Sequence, residues 1–255
     1  MHPNPRQLTL LSVVHSSAYV SVEQLAERLG VTLQTVRRDV QKLADQGLLV
    51  RFHGGVRAPG STVENLGYQQ RENLFAEEKS RIARAVATAI PNNCSLILNI
   101  GTTTEAIARE LVNHSGLRVI TNNLHVATIL GASTKSEVIV VGGVVRNRDG
   151  GIVGEAAVDF IRQFKVDVAV IGISGIESDG SLRDFDFREV KVSQMIISHA
   201  REVWLAADHS KFKRHAMVEV AHVSQIDRLF TDAPPPDPFP ALLDEAQVRC
   251  EVCKV

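Results

Sequence analysis

Thr32-Leu33-Gln34-Thr35-Val36-Arg37-Arg38-Asp39-Val40 is the stretch that decides how this chain folds and what it meets. It follows an amphipathic run, Val22-Glu23-Gln24-Leu25-Ala26-Glu27-Arg28-Leu29, after only Gly30-Val31. Two short helices joined by a glycine-containing turn make a helix-turn-helix. The second helix opens on short hydroxyls and an amide, then carries two adjacent arginines, a side-chain set that reads base edges in a major groove. Thr32, Gln34, Thr35, Arg37 and Arg38 are therefore the expected DNA-reading residues, and Lys42, one turn later, is placed for a phosphate.

An isolated Arg-Arg pair is usually only a solvated helix face, so the surrounding frame matters. Upstream, Leu8, Leu10, Leu11 and Val14 recur at helical spacing and predict a first helix over 5–15. Ser21 and Thr32 are positioned as N-caps of the second and third helices, and Val36, Val40 and Leu43 form the inner face of the third. Downstream, 48–52 and 56–58 are strand-like, with Gly54-Gly55 between them for a tight turn. Three helices and a hairpin predict a winged helix-turn-helix over 1–58. Arg51, His53 and Gly54 of the wing offer charge and backbone N–H groups to DNA.

Residues 59–76 are polar and poorly periodic and read as a linker; 77–255 form a larger body. There, strand-like runs at 95–100, 117–121, 137–141, 166–172, 202–207, 227–231 and 247–253 alternate with helical segments near 78–90, 103–113, 123–131, 155–163, 187–200 and 238–246. That alternation predicts an α/β domain with a mostly parallel sheet. The net charge of −1 hides an asymmetry: residues 1–57 hold 7 Lys+Arg against 4 Asp+Glu, the remainder 21 against 25. A mildly basic head on an acidic body suits DNA binding joined to another task.

The body's strand ends are polar. Gly101-Thr102-Thr103-Thr104 leads from a strand into a helix, where backbone N–H groups and the dipole make an anion site. Asn122 and Asn123, Gly142 and Gly143, Gly172 and Gly175 end three further strands, and Asp208 with Lys211 follows a fifth. Any one glycine turn is usually just a turn. Parallel strands would align all five along one edge, where open α/β sheets bind ligands, and Lys211 would supply charge for a phosphate.

Arg6, Leu10 and Val14, together with Thr32 through Val40, resemble the signature of the DeoR family of bacterial repressors. Arg148-Asp149-Gly150-Gly151-Ile152-Val153-Gly154-Glu155, Gly172 through Ser181, Asp208-His209-Ser210-Lys211-Phe212 and Thr231 through Pro236 resemble one branch of it. The resemblance implies a body like the sugar-phosphate-binding domain of ribose-5-phosphate isomerases and a small phosphorylated effector, glycerol 3-phosphate in that branch. It implies a repressor of glycerol metabolism genes released from operator DNA by that effector, and not an enzyme. Relatives commonly carry a lysine four residues after Glu189, where this chain has Ser193. Operator DNA read by single small heads calls for a homo-oligomer, a dimer or tetramer, on repeated half-sites.

Other features carry less. An isomerase-type enzyme would need an oriented base; Glu177, Asp179 and Asp184 lie in a suitable loop without an evident orienting partner, so no catalytic residue is assigned. Cys250 and Cys253 have metal-like spacing but no second ligand pair, and no metal or cofactor is expected. Trp204, Met195, Ile196 and Ile197 read as core, and Glu77-Glu78-Lys79 as an exposed helix start. No signal peptide or membrane-length apolar run is present, which predicts a cytoplasmic protein with no membrane partner.

Overall fold

The computed structural model describes residues 3–17, 20–52, 55–58, 62 and 65–254. The chain divides into two compact units, Met1–Phe75 and Ala76–Val255.

In the first unit, helices α1 (Pro5–His15), α2 (Val22–Leu29) and α3 (Leu33–Asp45) surround a core of Leu10, Leu11, Val14, Leu25, Val36, Val40 and Leu43. The expected caps are in place. Ser21 Oγ accepts from Gln24 N at 3.1 Å, and Thr32 Oγ1 from Thr35 N at 3.3 Å. Gly30 closes α2 at φ +61°, a left-handed conformation that a Cβ would strain, so the glycine in the turn has a backbone reason. The wing is a three-stranded sheet: β1 (Val20–Ser21) pairs with β3 (Gly55–Arg57), which pairs with β2 (Val50–Phe52), all antiparallel. The strand β1 was not legible in sequence because two residues show no periodicity.

Within the segment expected as a linker, Tyr68–Asn73 forms helix α4, and Leu74 and Phe75 join the core of the first unit. Leu66, Leu74 and Phe75 are too sparse for a periodic signal, yet they bury against a core already formed.

The second unit is the α/β domain its alternation predicted. Among the described residues its main sheet has seven parallel strands in the order β15-β14-β12-β9-β4-β5-β6, formed by Arg249–Val252, Arg228–Thr231, Ala200–Ala206, Val166–Ile171, Ser95–Leu98, Leu117–Thr121 and Ser136–Val140. Apolar clusters cover both faces, which is why the central strands β4 and β9 are nearly continuous apolar runs, while the edge strands β6 and β15 are more exposed. Helices α5 (Ala76–Ala89), α6 (Thr102–Leu111) and α7 (Leu124–Gly131) pack with one cluster; α8 (Glu155–Ile161), α9 (Phe187–Ser198) and α10 (Phe239–Glu245) pack with the other. Trp204 and Ile196 are buried, as expected of core residues.

Two smaller sheets escaped sequence periodicity. One is a hairpin, β7 (Val144–Arg146) with β8 (Gly151–Val153); the other joins β10 (Gly175–Ile176), β11 (Ser181–Asp184) and β13 (Val218–His222). Their strands are only two to five residues long, too short for either period to dominate. No helix among the described residues is long and apolar enough to cross a membrane.

Candidate functional site

The DNA-facing candidates lie on α3. Its inner stripe of Val36, Val40 and Leu43 is sunk in the core, which turns Gln34, Arg37, Arg38 and Lys42 outward to solvent. Neither Arg37 nor Arg38 has a polar partner among the described residues, so both guanidinium groups remain available. Thr32 and Thr35 share a 3.0 Å hydroxyl contact that completes the cap, leaving Thr32 exposed at the helix start. Arg51 bonds the side chain of Gln41 on α3, fastening the wing strand to the reading helix. His53 and Gly54 lie outside the described residues.

Asp39, the acidic residue inside the opening stretch, is an anchor. It is buried and accepts from Arg6 Nε at 2.7 Å and from Gln7 Nε2 at 2.9 Å, both on α1. Burial pushes its carboxyl up, but the bonds from Arg6 and Gln7 and the charge of Arg6 bring it below the ordinary carboxylate value. The orientation of the reading helix is thus fixed by a polar bond set as well as by apolar packing.

In the second unit the strand order decides which candidates meet. From β4 the chain moves outward through β5 to β6, whereas β9, β12, β14 and β15 lie on β4's other side. The carboxyl ends of β4 and β9 therefore flank a topological switch point, the place where open α/β sheets bind ligands. Asn99, just beyond β4, staples that point: Gly172 N donates to its Oδ1 at 2.9 Å, and its Nδ2 donates to Gly172 O at 3.4 Å. Gly101 (φ +158°) then turns the chain into α6, with Thr102, Thr103 and Thr104 in its first turn. The Thr104 hydroxyl donates to Asn99 O (2.8 Å) and Gly101 O (2.7 Å), so it shapes the loop.

On the next strand, Asn123 is occupied by structure. Its Oδ1 caps α7 through His125 N at 2.9 Å, and its Nδ2 donates to buried Glu105 at 3.1 Å. Asn122 differs: its Nδ2 donates to Ile152 O at 3.1 Å, while its Oδ1 is buried with no hydrogen-bond partner among the described residues. On the other side of the switch point, buried Asp208 accepts from Ser210 N at 3.1 Å, and its Oδ2 lies 4.0 Å from Lys211 Nζ. The topology thus gathers Gly101–Thr104, Asn122, Asn123, Gly172, Asp208 and Lys211 on the adjacent ends of β12, β9, β4 and β5. Gly142 and Gly143 end the edge strand β6, and a Cβ on Gly143 would meet Ile152 at 2.9 Å. Gly175 is spent on packing, since a Cβ there would lie 2.1 Å from Arg214 O.

Residues that periodicity passed over lie beside these strand ends. The turn of the β7–β8 hairpin is tied to them by Leu124 N donating to Gly150 O (3.1 Å) and Ile152 N to Asn122 O (2.7 Å). The turn end of that hairpin is held by Arg146, buried among acidic side chains: Asp149 at 2.8 Å, Asp186 at 3.1 Å and Glu189 at 2.7 Å. Lys79, expected on an exposed helix start, is instead buried, because 79, 82, 83, 86 and 87 form one inner face of α5. That register was the available signal, and the charge of the residue masked it. The loop carboxylates considered for catalysis are each engaged: Glu177 with His215 (2.7 Å), Asp179 with Ser181 (2.7 Å), and Asp184 with Ser174 (2.9 Å).

Residues 6–62 match the model of the DeoR-like helix-turn-helix domain, and residues 74–233 that of the DeoR C-terminal sensor domain. The chain belongs to the DeoR family. DeoR membership makes the first unit a DNA-binding head and the second a sensor unit. The glycerol-3-phosphate regulon repressor of Escherichia coli (strain K12) is 47% identical over 253 residues, covering 99% of this chain and 100% of the relative. The HTH-type transcriptional repressor CsqR of the same organism is 43% identical over 96% of this chain and 94% of its own length. Among solved structures, ribose 5-phosphate isomerase A from Methanocaldococcus jannaschii is similar over 54% of this chain and 55% of its own, at 14% identity and a TM-score of 0.41.

Proposed function

We propose that this DeoR-family protein represses genes of glycerol and glycerol 3-phosphate metabolism and leaves its operator when glycerol 3-phosphate binds the sensor unit. The end-to-end similarity to a glycerol-3-phosphate regulon repressor, with both chains covered almost completely, carries the effector assignment. The switch point supports the ligand's chemistry: a helix start with three threonines and a nearby lysine suits a small phosphorylated metabolite. Arg37 and Arg38, with Thr32, Gln34 and Thr35, read operator bases, while Lys42 and Arg51 meet phosphates. The protein acts as a regulator and not as an enzyme. It works as a homo-oligomer, whose reading helices meet half-sites about 34–36 Å apart or a multiple of that.

Release requires that the ligand prefer a sensor state in which the heads no longer fit the operator. Fluorescence anisotropy on DNA from glycerol-utilisation promoters, at fixed salt, tests the whole reading. Saturating glycerol 3-phosphate is expected to weaken operator affinity by about 5–150-fold, the usual span of such couplings. Release by another phosphosugar alone would replace the effector, an outcome the comparable similarity to CsqR makes worth including. Absence of operator binding would overturn the repressor. Lys211→Ala is expected to bind operator normally and to require far more ligand for release; unchanged induction would remove Lys211 from the site.

A further inference from the structure

The turn that carries Lys211 is gripped from two sides. β12 ends at Ala206, and Ala207 N still donates to Phe230 O of β14 at 3.0 Å as the chain leaves the sheet. Asp208 then caps a short 3-10 turn, His209–Lys213. Its Oδ1 accepts from Ser210 N at 3.1 Å and from the Ser210 hydroxyl, and its carbonyl accepts from Lys211 N at 3.0 Å. These bonds are local to the turn. The second grip comes from the neighbouring strand. Asp232 directly follows β14, and its side chain is 4% exposed. One of its carboxylate oxygens accepts from His209 N at 2.7 Å, and the other from His209 Nδ1, also at 2.7 Å.

Capping the turn requires only the backbone contact. Holding the ring as well fixes both the main chain and the side chain of a residue two places before Lys211, through bonds to an ionised acceptor, the stronger class. The Asp232 bond raises the imidazole above its ordinary pKa, against the effect of burial. Lys211 Nζ itself stands 4.0 Å from Asp208 Oδ2, an oxygen with no hydrogen-bond partner among the described residues. That separation is too long for a hydrogen bond to fix where the ammonium stands. We infer that Asp232 and His209 are the positioning pair of the effector site, holding the turn in the arrangement that presents Lys211 to the effector phosphate. β12 and β14 then act together: one supplies the turn and the other locks it from the side. The inference rests on the effector reading above, and neither residue of the pair touches the ligand.

Two measurements on the full-length protein test the pair: glycerol 3-phosphate affinity by calorimetry without DNA, and operator affinity without ligand. For His209→Ala, ligand affinity is expected to fall by about 10–100-fold, the usual weight of a hydrogen bond to a charged group, while operator affinity stays near wild type. His209→Asn keeps an N–H donor in the place of Nδ1 and is expected to restore most of the ligand affinity. Asp232→Asn repeats the test if the alanine variant does not fold. In a double-mutant cycle, Lys211→Ala is expected to cost much less in the His209→Ala background than in wild type, because a displaced lysine has little left to lose. If wild type binds no glycerol 3-phosphate, the effector reading and this inference fall together. If wild type binds it and His209→Ala binds equally well, the inference alone falls. Equal losses in His209→Asn and His209→Ala, or additive losses with Lys211→Ala, would make the ring an independent ligand contact and overturn its positioning role.

Discussion

Replacing Arg146 by alanine is expected to lower the stability of the sensor unit by about 3–5 kcal/mol, the usual cost of removing one partner from a buried ion pair. The guanidinium bonds Asp149 through Nε and Nη2, each at 2.8 Å, and also reaches Asp186 at 3.1 Å and Glu189 at 2.7 Å. Burial opposes its charge, but Glu189 and Asp149 hold its pKa above the ordinary arginine value. Without it, the β7–β8 hairpin loses its tie to α9, and the carboxylates of Asp149 and Asp186 lose the cation that neutralises them. The chain has a single tryptophan, Trp204, buried in β12, so its fluorescence reports the sensor unit alone during urea unfolding. With a urea slope of about 1–3 kcal/mol per molar, the midpoint should fall by at least about 1 M. An unmoved midpoint would show that the carboxylates find other partners. Thermodynamic loss and loss of ligand response should appear together, because the same hairpin is bonded to Asn122 and Leu124 at the end of β5.

Glu189→Gln supplies the contrast. Burial and the nearby charge of Asp184 push the Glu189 carboxyl from 4.5 up to about 8, against the pull of Arg146. The folded protein thus keeps a proton that the unfolded chain gives up above 4.5. Stability therefore falls as pH rises from 4.5 towards 8, and the penalty is complete above 8. Glutamine keeps an acceptor for Arg146 without that loss. Relative to wild type, Glu189→Gln is expected to gain stability with rising pH across this window; a constant difference at all pH values would refute the elevated carboxyl.

The second large effect is on DNA. Arg37→Ala and Arg38→Ala are each expected to cost roughly 1–3 kcal/mol on the operator if the arginine reads a base, with much less loss on random DNA. Both side chains are exposed and unengaged among the described residues, so neither substitution disturbs the head's own packing. The two outcomes are distinguishable by salt. A base-reading arginine relaxes sequence preference at one position, whereas a phosphate contact weakens all sequences alike and reduces the salt slope by about one. Equal loss on operator and random DNA for both variants would leave base reading to Gln34 and the threonines.

Much of this architecture was legible because it rests on local rules. Ser21, Gly30 and Thr32 cap or terminate helices through bonds and backbone conformations that span three or four residues. The central strands of the main sheet are apolar because helices cover both faces, and that burial writes itself into consecutive residues. The polar strand ends were likewise visible as breaks in those runs. What escaped was short or paired across distance. Asp39 looked like one more charge on the reading helix until α1 supplied Arg6 and Gln7, more than thirty positions away. Arg146 and Asp186 are separated by forty residues and have no common period. Lys79 was hidden by its own charge, since an ammonium on an apolar face reads as a helix end.

By itself the sequence determined the three helices of the head, the strands of the main sheet with the helices between them, the outward arginines of α3 and the presence of glycine- and threonine-rich strand ends, all consequences of hydrophobic period and capping. Only the tertiary structure decided which strand ends meet at the switch point, that Asn99 staples β4 to β9, and that Arg146 gathers Asp149, Asp186 and Glu189. The reason is physical: parallel strands pair through crossovers rather than neighbouring turns, so their order, and every buried charge partner that depends on it, is set by packing between distant segments.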